Sequence, residues 1–299
     1  METWADRVRV VTFGDGRQVG DDRICAVVAE AGINHDGQLD IALDLCRAAK
    51  AAGATYVKFQ KKTPRLCVPK HQWDVPKEAP WGEILPYITY KERMELGQDD
   101  YHSIAFLCKE LSISWTASVW DEPSLDFLLG YDPPFIKVPS ACLTDLDLLR
   151  AIRRSGRPAV LSTGMSTLSQ VKAAAALLGP DRLVLLHCRS TYPCQAKEMN
   201  LSAIQTLRGL FPVAPIGLSN HYPGLWLALC AVALGANMVE AHLTLDRSSI
   251  GTDHAASWEP GGLRKFVQQV RRWEEAKGDG QIGPVESERA VLHKLRRCP

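Results

Sequence analysis

The sequence predicts a single-domain α/β protein, a (β/α)8 TIM barrel. Short apolar runs alternate with helical stretches eight times, and a polar side chain ends nearly every apolar run. This alternation is typical of a parallel sheet, and eight repeats favour closure of that sheet into a barrel. An open doubly wound sheet is disfavoured, because it would give fewer strands and no GxGxxG motif follows the first run.

The eight predicted strands are short, and helical periodicity separates them, from Leu39–Ala52 after the first to Gly262–Lys277 after the last. The strands are predicted at Ile24–Glu30, Thr55–Gln60, Ser114–Val119, Phe135–Ser140, Ala159–Thr163, Leu183–Cys188, Pro215–Ser219 and Met238–Thr244. The barrel therefore spans residues 24–277. Residues 1–23 are predicted to form a strand or hairpin extension that includes Val8–Phe13. Residues 278–299 are predicted to be a polar, basic tail with a weak amphipathic helix at Val285–Leu295.

One long connection, Thr63–Gln98, interrupts the alternation of predicted strands and helices. A connection of this length in a compact domain is usually a lid, a binding loop or an interface. Its aromatic residues Trp73, Trp81, Tyr87 and Tyr90 disfavour a floppy insertion and suit interface anchors, so a homodimer is one expectation.

Composition excludes several classes of function. Among 299 residues, 35 basic side chains balance 34 acidic ones, and no basic stripe with interleaved aromatics suggests nucleic acid. Apolar runs stop well short of the ~18 residues that a membrane span requires. The charged N-terminus lacks a secretory apolar region, and the nine cysteines contain no CxxC pair. We therefore expect a cytoplasmic protein with reduced cysteines.

Two histidines end consecutive predicted strands. His221 follows the run that begins at Ile216, His242 follows Val239, and Pro223–Gly235 between them is long enough for one helix. Adjacent parallel strands lie ~4.8 Å apart, so both imidazoles can converge on one divalent transition metal ion. Two hydrogen-bonded histidines without a ligand are also compatible with the spacing, although less favoured by it.

The carboxyl ends of all eight predicted strands carry polar side chains. These are Glu30, Lys58, Gln60, Ser118, Lys137, Ser140, Ser162, Thr163, His187, Ser219, His221, Glu240 and His242. In TIM barrels that face holds the active site, and so many polar groups there are hard to explain by packing.

Seven motifs that occur in order along the barrel resemble the sialic acid synthase family, the N-acetylneuraminate synthases and their relatives. The resemblance covers residues 24–275. The motifs are Ala29-Glu-Ala-Gly-Ile-Asn-His-Asp-Gly37, Val57-Lys-Phe-Gln60, Ile136-Lys-Val-Pro-Ser140, Leu161-Ser-Thr-Gly-Met165, Leu186-His-Cys188 with Tyr192-Pro193, Gly217-Leu-Ser-Asn-His221, and Glu240-Ala-His242 with Gly251-Thr-Asp-His254.

The resemblance implies a transferase that condenses phosphoenolpyruvate with an open-chain aldose, such as an N-acylhexosamine, or another aldehyde. The products would be a 2-keto-3-deoxy sugar acid and inorganic phosphate, formed with C–O cleavage. It also implies a divalent metal, with Mn²⁺ favoured over Mg²⁺ or Co²⁺, held by His221 and His242. Such a metal would polarise the aldehyde oxygen as a Lewis acid.

Matching motifs also imply roles for the other strand-end residues. Lys58 and Lys137 would hold the carboxylate and phosphate of phosphoenolpyruvate. Glu30 would orient a metal-bound water or the acceptor, and Asp253 would contact the acceptor sugar. Further substrate contacts are implied for Gln60, Ser118, Ser140, Ser162, Ser190, Tyr192 and Ser219.

The sequence also departs from the family pattern. Cys142 stands where many members carry a carboxylate after the fourth strand, Ser118 replaces a threonine, Ser190 replaces an asparagine, and Asn220 replaces Asp or Gly. The resemblance covers the barrel only, without the small antifreeze-like domain whose arginine binds the sugar in most members. The phosphoenolpyruvate half of the site is therefore implied more completely than the acceptor half.

Two alternatives remain open on the sequence. A pyruvate-type aldolase or lyase would need a Schiff-base lysine, for which Lys137 is the candidate. A degenerate barrel that binds a phosphorylated metabolite would be consistent with the loss of the acid at Cys142. Retention of both histidines and both lysines argues against that second alternative.

Overall fold

The computed structural model describes residues 9–298, and a closed barrel of eight parallel strands forms its centre. The strands are β1 (Val10–Thr12), β2 (Gln18–Gly20), β3 (Ala26–Gly32), β4 (Tyr56–Lys61), β5 (Pro76–Glu78), β6 (Ile84–Pro86), β7 (Ser114–Val119), β8 (Ile136–Val138), β9 (Ala159–Ser162), β10 (Leu183–Cys188), β11 (Ile216–Asn220) and β12 (Met238–His242). The barrel runs β3-β4-β7-β8-β9-β10-β11-β12 and closes by pairing β12 with β3. The predicted TIM barrel is confirmed.

Helices follow each barrel strand and cover the outside of the sheet. In chain order, the helices of the described residues are α1 (Leu39–Ala52), α2 (Pro64–Cys67), α3 (Tyr87–Arg93), α4 (Gln98–Glu110), α5 (Glu122–Leu129), α6 (Leu146–Arg154), α7 (Leu168–Leu178), α8 (Ala203–Leu210), α9 (Trp226–Ala233), α10 (Pro260–Ala276) and α11 (Arg289–Leu295). Of these, α2 and α3 belong to the long connection after β4, and α11 belongs to the tail.

The sequence itself sets several helix ends. The side chains of Asp121 and Asp145 accept hydrogen bonds from the backbone N–H groups of Ser124 and Leu148, which caps α5 and α6. Helix α1 ends where Gly53 adopts a left-handed conformation with φ 85°. Its apolar face, which includes Leu45 and Ala49, belongs to the buried core between the helices and the sheet.

A hairpin of β1 and β2 closes the N-terminal end of the barrel. Val11, Phe13 and Val19 from this hairpin are buried in one cluster with the first inward-pointing residues of the barrel strands. The ring of Phe13 lies 4.6 Å from that of Phe135 and 5.9 Å from that of Tyr56. The predicted extension is therefore a plug, although residues 1–8, which include Val8, lie outside the described residues.

The connection at residues 63–98 has its own secondary structure. It contains α2, a 3-10 turn at Lys70–Gln72, the antiparallel pair β5–β6, and α3. Ala79, Tyr90 and Met94 are buried against Ile33, which follows β3, so this connection packs beside the C-terminal face of the barrel. The expectation of an ordered segment there agrees with the structure, while a homodimer interface remains a prediction.

The tail after α10 makes a 3-10 turn at Glu286–Glu288 followed by α11, close to the predicted helix. Among the described residues, none of the helices combines the length and apolar character needed to cross a bilayer.

Candidate active site

A cavity of about 270 Å³ opens at the C-terminal face of the barrel. Of the thirteen residues to which the resemblance assigns a role, twelve line it: Glu30, Lys58, Gln60, Ser118, Lys137, Ser140, Ser162, Ser190, Tyr192, Ser219, His221 and His242. The thirteenth, Asp253, places a carboxylate oxygen 3.5 Å from Nδ1 of His242. The strand ends therefore bring together the groups that the sequence suggested.

Lys58 lies at the bottom of the cavity between two carboxylates. Its Nζ is 2.5 Å from Glu30 and 3.5 Å from Glu240, and it donates a hydrogen bond to the Ser118 hydroxyl at 2.6 Å. Only 1% of Lys58 is exposed, so this charge depends on its partners. Burial lowers the pKa of Lys58, but Glu240 and Glu30 outweigh that effect and raise it above the usual value.

The two carboxyl groups beside Lys58 differ in protonation. Burial acts to raise the pKa of Glu240, but Lys137 and Lys58 outweigh it and bring the pKa to about 2. Glu30 faces only one close ammonium, so burial dominates and raises its pKa to about 7. Near neutral pH, Glu240 is therefore a fixed anion, whereas Glu30 can hold or release a proton. Environments that separate the pKa values of two neighbouring acids are typical of acid–base sites.

Lys137 is the second cation of the cavity. It is 2% exposed, lies 3.5 Å from Glu240 and donates to its neighbour's carbonyl, Val138 O, at 3.3 Å. Burial lowers the pKa of Lys137, and Glu240 only partly offsets this effect. A buried ammonium with one loosely placed carboxylate has capacity left for an anionic ligand.

Hydroxyl groups line the wall beside Lys137. The Ser162 hydroxyl is buried without a hydrogen-bond partner among the described residues, and Ser140 Oγ accepts from the backbone N–H of Gly164 at 3.0 Å. A side chain at position 164 would collide with Ser190 Oγ and come within 2.8 Å of Ser140 Oγ. Gly164 therefore allows the two serines to approach the same point.

The two histidines face each other across the cavity, with ring centroids 5.4 Å apart. Nδ1 of His221 lies 2.6 Å from Arg189 O and donates to it, so in the neutral ring Nε2 carries the lone pair. Burial lowers the pKa of His242 to about 4, so its imidazole is neutral at pH 7. Nδ1 of His242 is buried without a hydrogen-bond partner among the described residues.

This pair fits a divalent transition metal. A backbone carbonyl fixes the tautomer of His221, and His242 is neutral with an unpaired nitrogen; both are properties of imidazole ligands. Within residues 9–298, no three His, Cys, Asp or Glu side chains gather as a ligand set. A metal held here would therefore take its remaining ligands from water or substrate oxygens, which is the open arrangement typical of catalytic sites.

The structure adds residues to which the sequence gave no role. Glu240 was noted at a strand end, but the structure places it between Lys58 and Lys137, and Trp120, Met165 and Cys188 also line the cavity. Counting buried charges would have pointed to Glu240, because two buried lysines need a carboxylate. For the other three, the sequence carried no clear signal.

Two other strand-end residues, and Cys142 in the turn after β8, have structural contacts. His187 bonds Met199 O at 2.7 Å, and Thr163 donates to Leu186 O. The thiol of Cys142 lies 3.7 Å from Trp120 O, while its neighbour Ala141 lines the cavity in its place. The 3-10 turn at Ser140–Cys142 buries the side chain of Cys142, so this position, where many family members carry a carboxylate, is not among the residues that line the cavity.

Comparison with known proteins agrees with this site. The NeuB family model matches residues 45–282. Human N-acetylneuraminate-9-phosphate synthase is 36% identical over 94% of this chain and 79% of its own length. N,N'-diacetyllegionaminic acid synthase of Legionella pneumophila is 34% identical over 93% of this chain and 80% of its own length.

Among solved structures, the N-acetylneuraminic acid synthetase of Leptospira borgpetersenii superposes with a TM-score of 0.85 at 29% identity. The match covers 98% of this chain and 100% of that one. Barrel, motif order and relatives agree: the chain belongs to the NeuB family, a family of sugar-acid synthases.

Proposed function

We propose that this protein condenses phosphoenolpyruvate with the aldehyde form of an N-acylhexosamine-like sugar, giving a 2-keto-3-deoxy sugar acid and inorganic phosphate. The observation that carries the proposal is the pair of buried lysines, Lys58 and Lys137, which share Glu240 at the bottom of a hydroxyl-lined cavity in a NeuB-family barrel. The names of the relatives support a sugar acceptor.

Charge explains how the first substrate binds. Phosphoenolpyruvate is close to a trianion. Lys137 is the freer of the two cations, because its nearest carboxylate, Glu240, is 3.5 Å away, whereas Lys58 lies 2.5 Å from Glu30. The unpartnered Ser162 hydroxyl and the nearby Ser140 and Ser190 supply hydrogen bonds to phosphate oxygens. Lys58 is already held by Glu30, so it orients the carboxylate end while the two acids keep its position fixed.

Carbon–carbon bond formation needs a polarised aldehyde and a proton source. When bound by His221 and His242, a divalent metal, with Mn²⁺ favoured over Mg²⁺ or Co²⁺, would supply Lewis-acid polarisation of the aldehyde oxygen. Carbon 3 of phosphoenolpyruvate attacks the aldehyde carbon, water adds to carbon 2, and phosphate leaves with the bridging oxygen. Glu30, with a pKa of about 7, is the residue placed to give and take protons.

Asp253 and Gln60 belong to the acceptor side of the cavity. Asp253 lies beside His242, and the Gln60 amide donates to Glu30 at 3.2 Å. Both groups are therefore positioned to contact a sugar whose aldehyde lies between the histidines and Glu30.

The experiment that tests the proposal measures phosphate release from phosphoenolpyruvate with a panel of aldoses, after chelation and after Mn²⁺ is restored. We expect release only with both acceptor and metal, and no activity in His221→Ala. His102→Ala, on the outer surface of α4, is the matched control. With bridging-¹⁸O phosphoenolpyruvate, the label should appear in phosphate. Full activity in the chelated protein would refute the metal role.

A pyruvate-type aldolase is the second candidate, because burial lowers the pKa of Lys137 and favours an amine nucleophile. Borohydride reduction in the presence of pyruvate would trap a Schiff base at Lys137 if this candidate were correct. We expect no trapping, because Glu240 lies 3.5 Å from Lys137 Nζ and offsets part of the effect of burial on the pKa of Lys137. Absence of both trapping and phosphate release would instead favour a metabolite-binding barrel.

A further inference from the structure

Two of the sequence motifs contain polar residues that the proposed chemistry does not use. The motif after β3 supplies Asn34 and Asp36, and the motif after β12 ends in His254. Because β12 pairs with β3 where the barrel closes, the two motifs meet at one seam of its C-terminal face. Asn34 and His254 are both buried, so each depends on hydrogen-bond partners inside the protein.

The His254 side chain lies between the two loops of this seam. Its Nδ1 is 2.7 Å from Thr244 Oγ1, and its Nε2 is 3.5 Å from Asp36 Oδ1. The ring also fills the space beside Gly251, where an added Cβ would come within 2.5 Å of His254 Cδ2. Glycine at that position therefore lets the 251–254 turn fold directly over the imidazole.

Asn34 fastens the same turn at a second point. Its side-chain amide donates to Leu243 O and to Ser257 Oγ, both at 2.9 Å. The Ser257 hydroxyl in turn donates to Asp253 O at 2.7 Å. The backbone of Asp253 is therefore held through Ser257, while the next side chain along the chain, His254, holds the turn against the interior.

The Asp253 side chain extends to the cavity. One carboxylate oxygen accepts from the Thr252 hydroxyl at 2.8 Å, and the other lies 3.5 Å from Nδ1 of His242. A carboxylate that accepts the second N–H of a metal-binding histidine fixes its tautomer and ring orientation. A separation of 3.5 Å is long for such a hydrogen bond, so a small displacement of the turn decides whether the contact forms.

We propose that His254 is a positioning residue: with Asp36 and Thr244 it holds the 251–254 turn so that the Asp253 carboxylate stays beside His242. This inference rests on the proposed function, in which His242 is a metal ligand, and adds to it a residue behind the cavity wall. His254 is not among the residues that line the cavity, so it acts through Asp253.

The test is a double-mutant cycle. His254→Phe keeps a ring and removes both nitrogens, and Asp253→Asn removes the carboxylate charge. We expect each variant to lower Mn²⁺ affinity, measured by paramagnetic resonance titration, and kcat/KM by roughly 10- to 100-fold, the range for lost outer partners of metal ligands. Because both changes remove the same contact, the double variant should be no worse than the poorer single variant.

Two further variants sharpen the cycle. Asp36→Asn should fall between native protein and His254→Phe, because asparagine tolerates the left-handed φ of 52° at this position and removes only the charge. His187→Phe is the matched control, since His187 is a buried histidine whose ring contacts Met199 O. Its effect should be small and should add to that of Asp253→Asn.

A readout without metal or turnover separates positioning from folding. In ¹H–¹⁵N spectra of metal-free, histidine-labelled protein, the ring nitrogens of His242 should shift in His254→Phe as they do in Asp253→Asn. Unchanged His242 signals, or additive losses in the cycle together with a lower melting temperature, would overturn the proposal and leave His254 a structural role. If Mn²⁺ does not bind and no acceptor releases phosphate, the proposed function fails, and the His242 signals still decide this inference.

Discussion

The two ends of this barrel are filled in opposite ways. At the N-terminal end, the β1–β2 hairpin places Phe13 against Tyr56 and Phe135, in a cluster made of apolar and aromatic side chains. At the C-terminal end, the same strands finish in Lys58 and Lys137, with acids and hydroxyl groups around them. Both ends are buried, but the unpartnered hydroxyl of Ser162 and the unpartnered ring nitrogen of His242 lie at the C-terminal end.

This difference indicates how one sheet supports both stability and chemistry. Burying Lys58, Lys137, Glu30 and Glu240 together carries a desolvation penalty of several kcal/mol per ion before their mutual attraction is counted. Apolar burial stabilises by about 25 cal/mol per Å², and the plug adds such area at the end where no substrate enters. The contrast therefore predicts that substitutions at the two ends affect different measurements.

Lys137→Met should have the largest effect, and it should fall on catalysis. Removal of this cation leaves a bound trianion and Glu240 with one ammonium fewer, so we expect a loss of about 3–5 kcal/mol in transition-state stabilisation. The measurement is kcat/KM for phosphate release, with the melting temperature as control. An unchanged kcat/KM would remove Lys137 from the site. We prefer this variant to Lys58→Met, which would also leave Glu30 without its close partner.

Phe13→Ala should have the converse effect at the plug. Truncating a ring that is 2% exposed opens a cavity among Tyr56 and Phe135 and should lower the free energy of unfolding by about 3 kcal/mol. Denaturant unfolding measures this loss, and kcat per folded molecule should stay within about twofold. A large fall in kcat without loss of stability would contradict the separation of the two ends.

The plug should also respond to acid through Asp21. Burial acts to raise the pKa of Asp21, but Arg208 at 2.9 Å and Arg9 at 3.0 Å outweigh it and hold the pKa below its usual value. Because the folded pKa is depressed, the stabilisation is present above the unfolded pKa of about 3.9 and is lost as pH falls through the folded value.

Asp21→Asn should therefore lower stability by about 1 kcal/mol at pH 7 and by much less near pH 3. Melting curves of native protein and variant at both pH values measure this difference. An equal loss at pH 7 and pH 3 would show that packing, and not charge, gives Asp21 its effect.

Cys142→Ser should have the smallest effect. The thiol is buried beside Trp120 O, and burial raises its pKa to about 12, so it is neutral and takes no part in proton transfer. We expect turnover within about twofold and a stability loss of about 1 kcal/mol, because the shorter serine side chain leaves its buried hydroxyl without a full hydrogen bond to that carbonyl. A severe kinetic defect in a well-folded Cys142→Ser protein would place the thiol in the chemistry.

The fold was readable from the sequence because each buried parallel strand is a short apolar run with a polar end. The fourth predicted strand, Phe135–Ser140, was too long: the observed strand is Ile136–Val138. Pro139, which has no N–H to donate, follows it and leads into a 3-10 turn. The side chain of Cys142 turns inward within that same short turn, a direction that strand periodicity does not describe.

The sequence predicted which residues form the candidate site, but not which of them contact one another. The strand ends and the loops that follow them supplied the predicted residues, whereas the contacts of Glu240 with both lysines depend on barrel closure, which joins β12 to β3 and brings β8 within reach.

The closed N-terminal end has a consequence for kinetic order. Phe13 and the hairpin fill that end, whereas the cavity lies at the opposite, C-terminal face and is lined by Lys58 and Lys137, which are only 1% and 2% exposed. A substrate bound to Lys58 and Lys137 would be covered by a second substrate bound near Gln60 and Tyr192. Phosphoenolpyruvate should therefore bind first and the sugar second, so that excess sugar produces dead-end inhibition that high phosphoenolpyruvate relieves.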